Sequence, residues 1–314
     1  MPNLKELKNH MDSIQDTQKI TNAMYLISST KMRKAKKELD ATRPYFDALQ
    51  GEIKRIFRTV KGFENRFFYP EDGGEAPDGP YACLVITSDK GLAGSYNHNV
   101  IKETMRIVER NKNARLYVVG DYGRHYFEKH GIPVVREFVH HAHEPELHEA
   151  REIAVVLLEA FMKNEVDKIF IVYTDWKNSM TEKVVSRRLI PFHRSFLLGG
   201  ASNNKMVGKI SDSGRAVSFE LKSEKKVKQP FEFLPSVEAI IDAVMPSYLT
   251  GFVYSALVDS FCSEQTARMM ATSSAGRNAD KILASLEVEY KRIRQTGITQ
   301  EITEVSSGAK MKKR

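Results

Sequence analysis

A few stretches of this chain carry residue types that could do chemistry. Ser88-Asp89-Lys90-Gly91-Leu92-Ala93-Gly94-Ser95-Tyr96-Asn97 follows an apolar run and opens a helical one. That is where Gly-rich loops turn backbone N–H groups toward phosphate. It matches neither GxGxxG nor a Walker loop, and no Lys-Ser/Thr pair follows its second glycine, so a tight strand-to-helix turn using glycine's backbone freedom is the better reading. His140-His141-Ala142-His143, with Glu144, Glu146 and His148, offers the imidazoles and carboxylates that suit transition metals. No two of those histidines stand i, i+4 apart and the run precedes Pro145, so it reads as a solvated loop. Ser28-Ser29-Thr30-Lys31 fits the SxxK nucleophile pattern. It lies mid-helix, however, and neither S-D-N nor K-T-G follows it. With no G-x-S-x-G, no H-E-x-x-H and no carboxylate pair in an apolar setting, the chain is expected to hold no catalytic residue, cofactor or metal and not to be an enzyme.

The elements around these stretches follow from periodicity. Residues 3–43 contain neither Gly nor Pro and read as one helix, with Leu4, Leu7, Met11, Ile14, Gln18, Thr21, Tyr25, Ser28, Met32, Ala35 and Leu39 at heptad spacing. This seam turns polar or small in its middle, while Ile20, Met24 and Ile27 form a second apolar strip on the adjoining face. One side can take another helix of the chain and the other a separate protein. Bulkier residues from Tyr45 to Val60 continue the pattern past Pro44, and a Gly/Pro-rich loop follows.

At the other end, apolar residues recur at helical spacing from about Ser236 to Val305: Leu249, Phe252, Val253, Ala256, Leu257, Ile282, Leu286, Ile293, Ile298, Ile302 and Val305. No proline follows Pro246. At roughly 1.5 Å per residue such a helix would be of order 100 Å long, so it has to pack on something equally long or run through a partner.

Between the helices the pattern alternates. Strands are expected at Ala82–Thr87, Leu116–Gly120, Val134–Phe138 and Lys168–Tyr173, separated by helices over Asn97–Asn111, Tyr122–Lys129 and Pro145–Lys163, with a hairpin-like pair ending in Val184–Phe192. These lengths imply a mostly parallel sheet with crossover helices. Residues 199–230 read as loop, with a weak strand near Val217–Leu221. The expected fold is α/β: a long antiparallel two-helix coiled coil formed by the N- and C-terminal helices, with an inserted α/β domain. The expected boundaries are 1–61 for the first helix, 62–80 for a loop, 81–235 for the inserted domain, and 236–314 for the last helix and its basic tail.

Composition narrows the function. The 314 residues, 28% charged and 41% hydrophobic, include no run of 18 apolar residues, so no transmembrane span is expected, and the N-terminus lacks a signal or transit pattern. Cys83 and Cys262, far apart, argue against disulfides and zinc ribbons. The net charge of +8 invites an acidic partner, nucleic acid included. It is concentrated in Lys31-Met32-Arg33-Lys34-Ala35-Lys36-Lys37 and in the tail Lys310, Lys312, Lys313, Arg314. A basic coiled-coil scaffold that binds nucleic acid is therefore the alternative reading, although no aromatic interleaving or nucleic-acid-binding motif accompanies the run.

Both ends also carry a resemblance. Ser263-Glu264-Gln265-Thr266-Ala267-Arg268-Met269-Met270-Ala271, then Arg294-Gln295-Thr296-Gly297-Ile298-Thr299-Gln300-Glu301-Ile302-Thr303-Glu304, together with Thr17-Gln18-Lys19-Ile20-Thr21-Asn22-Ala23-Met24 near the start, resemble the gamma subunit of F-type ATP synthases. The central block resembles it through Ser88–Asn97, where the family usually has Cys at the position of Ala93, and through Tyr173–Val185. The resemblance implies a rotor shaft of the central stalk, one copy per complex, inside a ring of alpha and beta subunits. Its α/β domain would meet the epsilon subunit and the c-ring, peripheral to a bacterial plasma membrane on the cytoplasmic side, with no nucleic acid involved. It further implies partner contacts at Met24, at Lys31, Arg33 and Lys34 toward acidic beta loops, and at Arg294, Gln295, Thr299 and Gln300. Ser273–Ala279 departs from the family's usual Asp-Asn-Ala-Thr, and the basic tail extends beyond the family's common helix end, where it is expected to protrude.

Overall fold

A computed structural model describes residues 4–59, 65–68, 79–110, 113–178, 181–192 and 234–311. Residues 199–230, most of 62–80 and the last residues of the tail lie outside it. The elements are α1 (Leu4–Thr59), β1 (Tyr81–Ile86), α2 (Tyr96–Arg110), β2 (Ala114–Val119), α3 (Asp121–Lys129), α4 (Leu147–Met162), β3 (Lys168–Asn178), β4 (Thr181–Ile190) and α5 (Val237–Met311). The chain divides into two compact units: Met1–Thr30 with Thr266–Arg314, and Lys31–Gln265. Both long helices contribute to both units.

In the first unit α1 and α5 run antiparallel. The Gln18 amide donates to Asp280 Oδ1, and Thr21 and Asn22 lie against the backbone of Gly276. On α5 the covered positions include Met269, Thr272, Gly276, Ala279, Leu283, Leu286, Tyr290, Ile293 and Gly297, an unbroken alternation of three and four residues, with Ala271, Ser273 and Glu289 half-covered beside it. This is the seam of a coiled coil. It keeps Leu286 and Ile293 of the stripe expected from apolar spacing and departs from it at Ile282, Ile298, Ile302 and Val305, which are exposed. Gly276 and Ala279 hold two of the seam positions, and the larger Ile282 is left outside. On α1 the expected seam residue Tyr25 is exposed and Met24 is half-buried in its place.

The register also sets a limit. Gln18 with Asp280 and Asn22 with Gly276 put Leu4, the first described residue of α1, beside the Arg294 turn of α5. Beyond it, residues 298–307 are all exposed.

The second unit is built on a four-stranded sheet of order β2-β1-β3-β4. β1 pairs parallel with β2 and β3, and β3 pairs antiparallel with β4. Alternate residues of β1 feed opposite faces: Ala82, Leu84 and Ile86 join the core with α1, α4 and α5, whereas Tyr81, Cys83 and Val85 join that with α2 and α3. The strand expected at Val134–Phe138 reduces to isolated bridges from Val134 to Leu116 and from His140 to Val119. Phe138 N–H turns back to the Val135 carbonyl, which breaks the ladder between them.

α1 and α5 continue through Pro44 and Pro246. At Pro246 the missing hydrogen bond is offset by buried Met245, Tyr248 and Leu249 beside it, whereas Pro44 lies between exposed Arg43 and Tyr45. α5 contains a stretch long and apolar enough to cross a membrane, but more than half of it is buried. Residues from Leu249 to Cys262 join the core beneath the sheet, as expected of a core helix. Cys83 and Cys262 are both buried and are not joined in a disulfide.

Candidate functional site

The residues expected to meet partners fall into both units. In the first, Met24 is half-covered by the α1–α5 seam, while Ile20, Leu26 and Ile27 beside it are 61%, 65% and 55% exposed. Arg294, Gln295, Thr299 and Gln300 lie on exposed α5 near and beyond the end of the pairing register. Thr299 Oγ1 donates to the Gln295 carbonyl at 2.9 Å and Gln300 Nε2 to Glu304 Oε1 at 3.2 Å. Ile298, Ile302 and Val305 are interleaved with them, so this part of α5 presents apolar and polar groups to its surroundings together.

In the second unit, the basic run on α1 is not the free cationic face that its sequence suggests. Lys34 Nζ donates to Glu144 Oε2 at 2.7 Å, and Lys31 Nζ lies 3.6 Å from Glu144 Oε1. The hydrogen bond from Lys34 holds the Glu144 carboxyl below the usual carboxylate range, and Glu144 raises Lys34 in turn. Lys36 Nζ sits 4.8 Å over the Trp176 ring, while Arg33 is exposed. Glu144 belongs to the segment read as a metal-candidate loop, and nothing local in the sequence connects it to α1.

The loop after β1 is closed on itself. Ser88 N–H donates to Asn97 Oδ1 at 3.0 Å, Asn97 Nδ2 donates to Ser88 Oγ at 2.6 Å, and Ser88 Oγ donates to the Lys90 carbonyl at 2.8 Å. At the start of α3 the N–H groups are also taken: Asp121 by Asp89 Oδ1, Tyr122 by the Ser88 carbonyl, Gly123 by Thr87 Oγ1. A helix N-terminus whose donors are spent in this way has little left for phosphate. Gly123 is required because a Cβ there would come within 2.6 Å of Thr87 Oγ1. The carboxyl end of β1, where strand order reverses, is where doubly wound sheets hold ligands. Here Leu257, Ser260, Phe261 and Glu264 of α5 close over Ile86 and Thr87, leaving only a small cavity.

The structure also gives a role to Ser263 and Thr174, which had stood out only in the family resemblance, and to Ser260, which had not been singled out. Thr174 N–H of β3 donates to Ser260 Oγ at 3.2 Å, and Ser263 Oγ donates to the Thr174 carbonyl at 3.5 Å. Serines one turn apart on α5 thus satisfy both backbone groups of one buried strand residue. Their i, i+3 spacing was the only available signal.

Ser28 of the SxxK pattern is buried in its helix seam, and Lys31 is engaged with Glu144. Among the histidines, His143 pairs with Glu149 at 3.1 Å and His148 with Glu146 at 3.0 Å, while His141 approaches Asp121 and Asp89.

With this geometry established, comparison with known proteins is decisive. The family model described as ATP synthase matches residues 3–311. The ATP synthase gamma chain of Caldanaerobacter subterraneus subsp. tengcongensis is 36% identical over 306 residues, 97% of this chain and 98% of its own. This chain belongs to the ATP synthase gamma-chain family. The gamma chain of Acetivibrio thermocellus is likewise 36% identical, over 98% of this chain and 99% of its own, and a gamma chain described as sodium ion specific, from Acetobacterium woodii, is 31% identical over 98% of each. Among solved structures, a chain of the Euglena gracilis mitochondrial ATP synthase (OSCP, F1 and c-ring) superposes with a TM-score of 0.60 at 15% identity, covering 96% of this chain and 92% of that one. A central-stalk chain from Tetrahymena thermophila gives 0.53 at 21% identity, over 82% and 99%. These structural neighbours share the gamma-chain fold. Nothing in the fold or in the gamma-chain relatives favours a nucleic-acid scaffold.

Proposed function

We propose that this chain is the rotor of an F-type ATP synthase, coupling ion flow through a membrane ring of c subunits to ATP synthesis or hydrolysis in a ring of alpha and beta subunits. It is itself non-catalytic, contacts the epsilon subunit through its α/β part, and works at the cytoplasmic side of a bacterial plasma membrane without entering it.

The observation that carries this reading is the choice of seam in the first unit. Gly276 and Ala279 occupy the seam between α1 and α5, while Ile20, Leu26, Ile27, Ile298, Ile302 and Val305 are left outside. A two-helix pair that needed only itself would bury those residues. Their exposure supports a helix pair surrounded by other subunits.

The helix pair is asymmetric, so each catalytic subunit of a surrounding ring meets a different face at any moment. Rotation can shift nucleotide affinities only through such differential contact. One charge moving through about 100 mV yields roughly 2.3 kcal/mol, so several ion steps must accumulate before one ATP is made. Met24, the basic residues Lys31, Arg33 and Lys34, and the polar set Arg294, Gln295, Thr299 and Gln300 are the contacts we assign. For the lysines, contact with an acidic subunit loop means exchanging Glu144 for another carboxylate.

The test is proton pumping by inverted membrane vesicles whose ATP synthase carries Met24→Lys. A lower pumping yield per ATP hydrolysed is expected, because the added cation strengthens attraction to acidic loops at one point of the cycle. An unchanged yield would remove Met24 from the interface.

A further inference from the structure

We propose that Asp89, Asp121 and His141 form a structural binding site for a divalent transition metal, with zinc the best-fitting ion. The three residues come from different segments: the loop after β1, the first turn of α3, and the loop before α4. Each offers one ligand atom, and the three atoms lie within 4.8 Å of one another. His141 Nδ1 is 3.3 Å from Asp121 Oδ2 and 3.9 Å from Asp89 Oδ1. Zinc bonds of about 2.0–2.1 Å to nitrogen and oxygen in a tetrahedron put neighbouring ligand atoms about 3.3 Å apart. The separation from Asp121 has that value, and the one from Asp89 exceeds it by about 0.6 Å, a gap that movement of the exposed imidazole would close on binding.

The ligand set is suited to a transition ion. One imidazole with two carboxylates favours zinc or manganese over calcium or magnesium, which take oxygen alone. The Asp89 carboxylate is already aimed, since its Oδ1 accepts N–H groups from Ala142 at 2.8 Å and Asp121 at 3.2 Å. Such outer bonds hold metal-ligating carboxylates in place. His141 also borders the small cavity shared with Thr87, His143, Glu149 and Glu264, which leaves space beside the ring for it to turn. His141 is exposed and Asp121 sits at the surface, so a fourth position is open to water.

The site would have a mechanical consequence. It would fasten the loop before α4 to the end of β1, and that loop carries Glu144 to Lys34 of α1. The sequence concealed it because the histidine run was judged by its own spacing, whereas the other ligands lie far from it along the chain.

The experiment uses the untagged full chain, stripped of metal by chelation, titrated calorimetrically with zinc chloride and, in parallel, with cobalt(II) followed by visible absorption. One equivalent of zinc is expected to bind, with the intense d–d bands of tetrahedral cobalt at the same stoichiometry. Asp121→Asn and His141→Gln should each weaken zinc by at least about tenfold, and His148→Gln, in the same histidine run, should leave it unchanged. Thermal melts of each metal-free variant show whether the fold is intact. No binding by the parent chain, or parental affinity in folded His141→Gln, overturns the proposal and leaves His141 as an ion-pair partner of the two carboxylates.

Discussion

Lys34 of α1 and Glu144, 110 positions later, share a 2.7 Å hydrogen bond. The pair holds the Glu144 pKa down and the Lys34 pKa up. Its contribution is therefore present between those two values and is lost as pH falls through the depressed carboxyl value. Glu144→Gln should return Lys34 toward ordinary lysine behaviour, read by NMR titration of its side chain, with little change in melting temperature because the pair is exposed. If Lys34 titrates identically in both proteins, the pair does not form in solution.

Glycines at two points along the α1–α5 contact predict opposite outcomes for the same substitution. A Cβ on Gly251 would lie 2.1 Å from Phe46 Cδ1, whereas one on Gly276 would meet only Asn22 Oδ1 and Thr21 Oγ1 at 3.8 Å, an ordinary contact. Gly251→Ala should destabilise by about 1–3 kcal/mol through overpacking. Gly276→Ala should stabilise by about 0.5–1 kcal/mol through helix propensity. Denaturant midpoints that move in the same direction for both would contradict the packing described.

Asp259 of α5 should make stability fall as pH rises. Burial, then repulsion from Asp175, push its carboxyl up to about 7 from 3.8, against the pull of Arg43 and Arg187. Between those values the folded chain keeps a proton that the unfolded chain has released. The favourable contribution is thus complete below the unfolded value and gone above about 7. Asp259→Asn should be more stable than the parent by up to a few kcal/mol at about pH 8, with the gap closing in acid. Urea melts across this range give the test; a gap independent of pH would mean that Asp259 is not the group responsible.

Ser260 and Ser263 should prove unequal. Ser260→Ala leaves the buried N–H of Thr174 without its acceptor, at a cost of about 1–3 kcal/mol. Ser263→Ala removes only a long bond to a carbonyl and should cost less. Equal losses in thermal denaturation would argue that the serines act by packing alone.

Much of the fold was legible because helices and strands declare themselves locally. The Gly- and Pro-free stretch of α1, the alternation from β1 to β3 and the β3–β4 pair all follow from spacing within a few residues. What spacing could not select was the face of α5. Ile282 and Ile298 are more apolar than Gly276 and Ala279, yet the alternation of three and four residues that puts Leu283, Leu286, Tyr290 and Ile293 in the seam puts the small residues there too and turns those isoleucines out. On α1, Met24 rather than Tyr25 turned inward. Val134–Phe138 has a strand's composition, but a turn at Phe138 interrupts its pairing. Of the expected contact positions, Arg33, Arg294, Gln295, Thr299 and Gln300 are exposed and Met24 is half-buried; Glu144 was not foreseen beside them, since its lysines lie on a helix distant in sequence.

The far end of α5 has one more implication. Residues 298–307 of α5 are all exposed, so the last turns of α5 rest on no second helix among the described residues. A single helix of that length is marginal in water. In the free polypeptide, amide protons beyond Gly297 should therefore exchange with deuterium far faster than those near Leu286, and lasting protection there would have to be conferred by neighbours from other chains.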